Sequence, residues 1–571
     1  SSTLENLIIN GTNYYGVYIY ENYTAIINNA KITTSIAEST AGAIYSKGEV
    51  IMNGGTVTAK GNGVFLAAGA EFTMNGGTIN STENSYHGLY ASGSSSSPIN
   101  ITINGGTIFG HQAIKTVYAA INIYGGTVTG GPNGGINISS GSLTIGNSSS
   151  SPTISSYGAT IMSSVPVYIY NGKITGSISL SSDLTIYGGT IIGTINSMSS
   201  NVTITVGVVN DDYYSSADRL KIFNTSSGSY AITMNSGTFK FNRGFIGAAS
   251  GNSYAYSLAS GVSTIIGDVF NSSDVYNSTT YQGKAISVAH IGSTKYKTLK
   301  EAFDALDSTT TKRIVLDGNV DECIHISSTK KLILDLNGNK WDYTISSMPP
   351  FFIVGSDNNS DITITDNSSN ASGQIGSSRL YTAISLGGDP GCDGCNNGIV
   401  KIIKGTIYGI QFNDWNLVIG DSASTSNNLR ILGRGSLNPA IYVNYPNDKT
   451  FTYNGGFIGS DTNNNYNYTY GKNASGTTYT INGLETNTAI TYNGITYYGI
   501  KLYVAHNQTY GTYYETLKDA FNGLSSTSTT KLWLDANRSE CVSVSTKILA
   551  EIDLRGYTWE ADSSCSITLS I

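Results

Sequence analysis

From residue 1 to about residue 250 the chain alternates apolar and polar positions in short runs, and each run ends on one small phrase. It reads IMNGGTV at 51–57, TMNGGTI at 73–79, TINGGTI at 102–108, NIYGGTV at 122–128 and TIYGGTI at 185–191. Before the turn, residues such as Ile101 and Ile103 alternate with polar neighbours, so one face points inward. Asn-Gly-Gly supplies positions that tolerate positive φ, and Thr-Ile or Thr-Val restarts a strand with a β-branched pair. A second short strand sits between copies, as in Gly42-Ala43-Ile44-Tyr45 and Gly63-Val64-Phe65. Each coil therefore holds two or three strands of about three to five residues and must stack on its neighbours to bury an apolar face. The prediction is an all-β parallel β-helix, or β-solenoid. A β-sandwich is the alternative, but it calls for longer strands and no fixed turn phrase.

The period breaks between about 251 and 283, which reads as an end coil followed by a connector. The stretch 298–341 then introduces a different signal: Leu299, Ala302, Phe303 and Leu306 at helical spacing, with Thr298 and Glu301 forming a capping box in front. The whole phrase returns at 516–559, where Thr516, Leu517, Asp519, Ala520, Phe521 and Leu524 repeat the pattern. The segments FNRGFIG at 241–247 and FTYNGGFIG at 451–459 also match. Three cassettes follow: 1–283, 284–500 with a helix about 298–307, and 501–571 with a helix about 516–524. The first has no helix ahead of its coils and the third stops a coil or two past its helix, as expected of a piece of a longer repetitive chain or of a chain that assembles through open ends.

TLKEAF at 298–303, IVLDGN at 314–319 and LILDLNG at 332–338 resemble the start of pectate-lyase-like right-handed β-helices. Together with the NGGT coils, the chain is most similar to tandem β-helix modules of large surface proteins from Gram-positive and related bacteria. The resemblance covers nearly the whole chain as architecture. It implies a right-handed coil, a short helix that closes the blunt start of each module, and an extracellular or cell-surface setting. Its motifs specify a scaffold and no particular chemistry.

Composition sharpens this picture. Only 12% of the 571 residues are charged, whereas Gly numbers 66 and Tyr 40; an average domain carries roughly 25% charge. Polarity thus comes from hydroxyls and amides. A net charge of −7 without a basic cluster offers nucleic acid no electrostatic footprint. No apolar run is long enough to span a membrane as a helix.

Candidate chemistry is sparse. Asp211-Asp212 is the one Asp pair, and polygalacturonase-like enzymes need further motifs that are missing; a turn is the plainer reading. The loop DPGCDGCNNG at 389–398 offers Asp389, Asp393 and Asn396 as oxygen ligands for a cation, or alternatively a loop pinned by a Cys392–Cys395 disulfide. Cys541 and Cys565 lie about one coil apart and are placed to bridge; Cys323 lacks such a partner and is free or an intermolecular link. His87, His111, His290, His325 and His506 show no metal spacing, and His290 and His506 occupy matching junction positions. Pairs such as Tyr14-Tyr15, Tyr213-Tyr214 and Tyr497-Tyr498 offer faces for sugar rings, or simply suit exposed strands. Sequons at Asn22, Asn100, Asn201, Asn277 and Asn467 permit glycosylation without indicating it.

The expected function is an extracellular structural or adhesive rod, layer or filament, without catalysis or cofactor, that associates with itself and offers its surface to glycans. A polysaccharide lyase or hydrolase and a carbohydrate-binding repeat array are the alternatives.

Overall fold

The computed structural model describes the chain except residues 13, 209–218, 344–348, 354–358, 379–381, 388–397, 413–414, 422–427, 435–439, 444–448, 462–476, 545–547, 561–567 and 570–571. The chain forms two compact units, Ser1–Ser287 and Val288–Ile571.

In the first unit, twelve strands stack into one parallel sheet, beginning with Ser2–Glu5, Thr24–Asn28 and Glu49–Met52 and ending with Val262–Ile266. The strands between them build a second, twenty-stranded sheet in which two parallel stacks run side by side. One stack starts at Ile8–Gly11 and Lys31–Thr34, the other at Tyr15–Ile19 and Gly42–Ser46. This arrangement is solenoid-like, and its parallel registers overturn the sandwich alternative, which needs antiparallel sheets.

Apolar rungs follow from the registers. Val50, Phe72, Ile101, Ile121, Leu143 and Val167 are successive partners across neighbouring strands, and all are buried. The alternation read from the sequence thus becomes a continuous ladder of side chains inside the stack.

Two local expectations are corrected. Strands are not uniformly short: Thr107–Val117, Thr127–Ile138 and Thr153–Ser163 run for 11, 12 and 11 residues, turning a corner through register shifts such as that between Gly110 and Gln112. The stretch read as an end coil followed by a connector does carry a last set of parallel strands, Tyr256–Leu258 and Val262–Ile266, but its connector part holds two further strands, Val269–Tyr276 and Thr279–Ile286. The last two form an antiparallel hairpin that pairs antiparallel with Phe245–Ala248. Period-2 stacking ends there because the partner strand runs the other way. Residue 283 lies inside this hairpin.

The second unit contains three parallel stacks, led by Lys312–Leu316, Val320–Asp321 and Ile324–Ile326. A matching hairpin, Leu484–Tyr492 with Ile495–Tyr503, pairs antiparallel with Phe457–Ser460. Glycines face each other in both places, Gly247 opposite Gly283 and Gly459 opposite Gly499. After it, Ala505–Asn507, Thr512–Tyr514, Thr530–Leu534 and Ala550–Asp553 repeat the order seen from Ala289–Ile291 onward. Arg538, buried, donates to the carbonyls of Asn454 at 3.0 Å and Asn482 at 3.4 Å, so the repeated start is hydrogen-bonded to coils before it.

Candidate functional site

The two helices, Leu299–Asp304 and Leu517–Asn522, are where the sequence concentrates its chemistry. Thr298 takes extended backbone, and its hydroxyl accepts the Glu301 N–H at 3.0 Å; Thr516 accepts the Asp519 N–H at 2.8 Å. Only this half of the expected capping box forms, because the Glu301 carboxylate turns to Lys297 at 3.1 Å. The first two helical N–H groups are taken instead by a residue that directly follows a later strand. Glu322 accepts from Leu299 N at 3.0 Å and Lys300 N at 2.9 Å, and Glu540 does the same for Leu517 at 2.8 Å and Lys518 at 3.0 Å. A carboxylate there satisfies orphan donors and meets the positive end of the helix. Burial raises the Glu540 carboxyl above its ordinary range, and the two N–H donors pull the other way.

Leu299, Ala302, Phe303 and Leu306 point inward, as their spacing predicts. Phe303 packs 6.2 Å from Trp341 and 5.9 Å from Phe351, and the Trp341 indole donates to the Glu322 carbonyl at 2.9 Å. Phe521 and Trp559 repeat this pair at 5.1 Å. The same residue thus holds the helix start through its side chain and the tryptophan through its backbone.

Other buried carboxylates are engaged in the same manner. Asp335 accepts from Asn337 N at 3.0 Å, Asn367 N at 2.9 Å and Arg313 at 2.5 Å. Asp366 accepts from Gly338 N at 2.8 Å and Ser368 N at 3.1 Å. His290 lies 2.6 Å from Asp317 and His506 2.5 Å from Asp535, which also takes Arg555 at 2.9 Å. These contacts join adjacent coils through turns and junctions.

The cation loop with Asp389, Asp393 and Asn396, the cysteines Cys392, Cys395 and Cys565, and the pairs Asp211-Asp212 and Tyr213-Tyr214 lie outside the described residues. Among the described residues no group of three His, Cys, Asp or Glu side chains is placed to hold a metal. Cys541 is disulfide-bonded. Cys323 is free and half-buried, its thiol donating to the Pro349 carbonyl at 3.4 Å; burial raises its pKa, which disfavours the thiolate. Among the described residues no helix is long and apolar enough to cross a membrane.

Of the tyrosine pairs, Tyr497 is buried in the core and unavailable to a ligand. Tyr15 packs into an outward column in which Tyr18 and Tyr45 stack at 5.0 Å and Tyr45 and Phe65 at 5.0 Å. His87 closes this column, its ring 5.2 Å from Tyr90. Burial, then Lys115 and His111, lower its pKa to about 4, and its buried Nδ1 has no partner among the described residues. The unfolded chain therefore takes up this proton first. The stability tied to neutral His87 is full above about pH 6.5 and lost as the pH falls toward 4, at most about 3 kcal/mol. Thermal melts at stepped pH should show that loss in the wild type and a smaller one in His87→Gln.

Two features escaped the sequence reading although signals for them exist. Glu322 and Glu540 occupy the same place in the shared phrase. Tyr124, Tyr170 and Tyr187 stand where earlier copies carry Asn53, Asn75 and Asn104, and they form a separate surface column. No protein-family model, curated protein or solved structure matches the chain.

Proposed function

We propose that the chain is an extracellular structural or adhesive β-solenoid: a right-handed parallel β-helix of tandem modules, each started by a capping helix, akin to pectate-lyase-like modules of bacterial surface proteins. The observation that carries this reading is the use made of the buried acids. Glu322, Asp335 and Asp366 each accept backbone hydrogen bonds that close a helix start or a turn, and Asp535 is paired with Arg555, so their charge serves architecture rather than a reacting substrate. Serial modules with low surface charge suit a rod, layer or filament that associates end to end or laterally. No catalytic activity is part of this reading. A glycan-binding array is the second reading, favoured by the outward tyrosine columns.

Negative-stain electron microscopy of the purified protein is expected to show ordered end-to-end or lateral assemblies. Dispersed single molecules across protein concentration would remove the assembly part of the proposal. Release of reducing ends from a polysaccharide panel would move the chain to the enzyme class instead.

A further inference from the structure

In the twelve-stranded sheet of the first unit, the position just after each inward strand forms a surface column. Its rungs are equivalent by backbone bonding: Tyr124 N–H donates to Ile103 at 2.8 Å, Gly146 to Ile123 at 2.7 Å, Tyr170 to Ile145 at 2.8 Å and Tyr187 to Ile169 at 2.7 Å. Below Tyr124 the rungs are asparagines joined by their amides, Asn75 to Asn53 and Asn104 to Asn75, each at 2.8 Å. Above it, Tyr170 and Tyr187 stack at 4.3 Å with an interplanar angle of 10°. Between Tyr124 and Tyr170 the rung is Gly146, and the column has a gap.

The gap is built in. Gly146 has φ +70°, and a Cβ there would fall 2.2 Å from the Asn171 carbonyl oxygen, so the backbone itself forbids a side chain. The neighbouring outward column is also small at this level, with Thr144 between Asn122 and Tyr168. A groove of about 510 Å³ opens over Gly146, with Tyr124 on one side and Tyr170 on the other. At its end Asn147 is fixed by accepting from Ser149 N at 2.9 Å and Ser150 N at 2.8 Å.

The dimensions select an occupant. Tyr124 and Tyr170 are two coils apart, ~9.6 Å at the usual strand spacing. Two van der Waals gaps of ~3.8 Å leave ~2 Å between them, more than a flat aromatic ring fills and about what a puckered saturated ring needs. The lining contains hydroxyls and amides but no Asp, Glu, Lys, Arg or His, so it offers a charged ligand no counter-charge. Among the described residues no side-chain hydrogen bond engages Asn122, Tyr124, Tyr168 or Tyr170, which leaves their polar ends free at the rim. We infer that this slot binds one neutral pyranose residue of a glycan, sandwiched between Tyr124 and Tyr170, with the rim amides and hydroxyls addressing its hydroxyls. The inference is independent of whether the protein assembles.

The test is saturation-transfer NMR and titration calorimetry of the full chain against neutral hexaoses (malto-, cello-, laminari-, manno- and chitohexaose), with hexagalacturonate as the charged comparison. At least one neutral hexaose should bind at a single site and more tightly than hexagalacturonate. Tyr124→Ala and Tyr170→Ala should each weaken binding about tenfold or more, and Tyr124→Phe should retain it, because the ring face is what stacks. Thr144→Tyr, which fills the slot without removing a ring, should block binding while the thermal melt stays unchanged. Tyr157→Ala, at a tyrosine 87% exposed elsewhere on this unit, should change nothing. Absence of transfer from every neutral hexaose, binding that survives both alanine variants and Thr144→Tyr, or a preference for hexagalacturonate would each overturn the proposal.

Discussion

Glu322→Ala is expected to lower the stability of the second unit by about 3 kcal/mol, since it strands two helical N–H donors under a buried aromatic cluster. One of those donors, on Leu299, belongs to a fully buried residue, so water does not replace the lost acceptor cheaply. Thr298→Ala removes a single acceptor for the Glu301 N–H and should cost about 1 kcal/mol. Glu322→Gln retains one oxygen and should fall between the two. All four tryptophans, Trp341, Trp415, Trp533 and Trp559, lie in this unit, so urea titrations followed by indole fluorescence report on it selectively. If Glu322→Ala unfolds at the wild-type urea concentration, the assigned role of the carboxylate is wrong. Glu540→Ala gives an independent copy of the experiment, read on the Trp559 side.

How much of this was legible beforehand depends on the range of the physics. The inward ladder needed only period-2 alternation, and Ile101 and Ile103 are buried as that period requires. The helix start needed only local spacing, and Thr298 caps as read. Glu322 was not legible, because its partners lie 23 and 22 residues earlier and meet it only once a coil has closed. The hairpin of Val269–Tyr276 with Thr279–Ile286 carried little alternation, and its turn residues Asn277 and Ser278, both at positive φ, are not the usual Asn-Gly pair. The other hairpin does carry that pair, at Asn493 and Gly494, with φ +48° and +76°.

The turn phrase shows the limit most clearly. Asn-Gly-Gly reads as three residues tolerant of positive φ, yet in the copies at 53–55, 75–77 and 104–106 only the last glycine, Gly55, Gly77 or Gly106, uses that freedom. The asparagines keep ordinary backbone and spend their side chains on the amide ladder between coils, 22 to 29 residues apart in sequence. A local pattern identifies a turn; it does not reveal that each turn is stacked on the one before. The same limit applies to the slot at Gly146, which exists only because Tyr124 and Tyr170 come to lie two coils apart.

Gly77→Ala is expected to destabilise the first unit strongly, at about 3 kcal/mol or more. Two separate costs combine. The residue sits at φ +91°, where an alanine pays about 1–2 kcal/mol in backbone strain. Its Cβ would also fall 2.7 Å from the Gly55 carbonyl oxygen and 2.6 Å from the Met52 methyl. The methyl is the end of a flexible side chain and can give way. The carbonyl cannot, because it accepts the Thr78 N–H at 2.9 Å as one rung of the parallel stack. Gly69→Ala separates the two costs: φ is +81° there, but the nearest atom to a new Cβ is 3.9 Å away, so only the strain should remain. Amide exchange over residues 74–81 should quicken markedly in Gly77→Ala and little in Gly69→Ala, and the thermal midpoint should order the two variants in the same way. Equal losses in both would show that backbone strain alone fixes glycine in the phrase. A larger loss at Gly77 ties the repeat to coil-on-coil contact, and Gly106, whose Cβ would lie 2.7 Å from the Gly77 oxygen, should then behave as Gly77 does one coil further along.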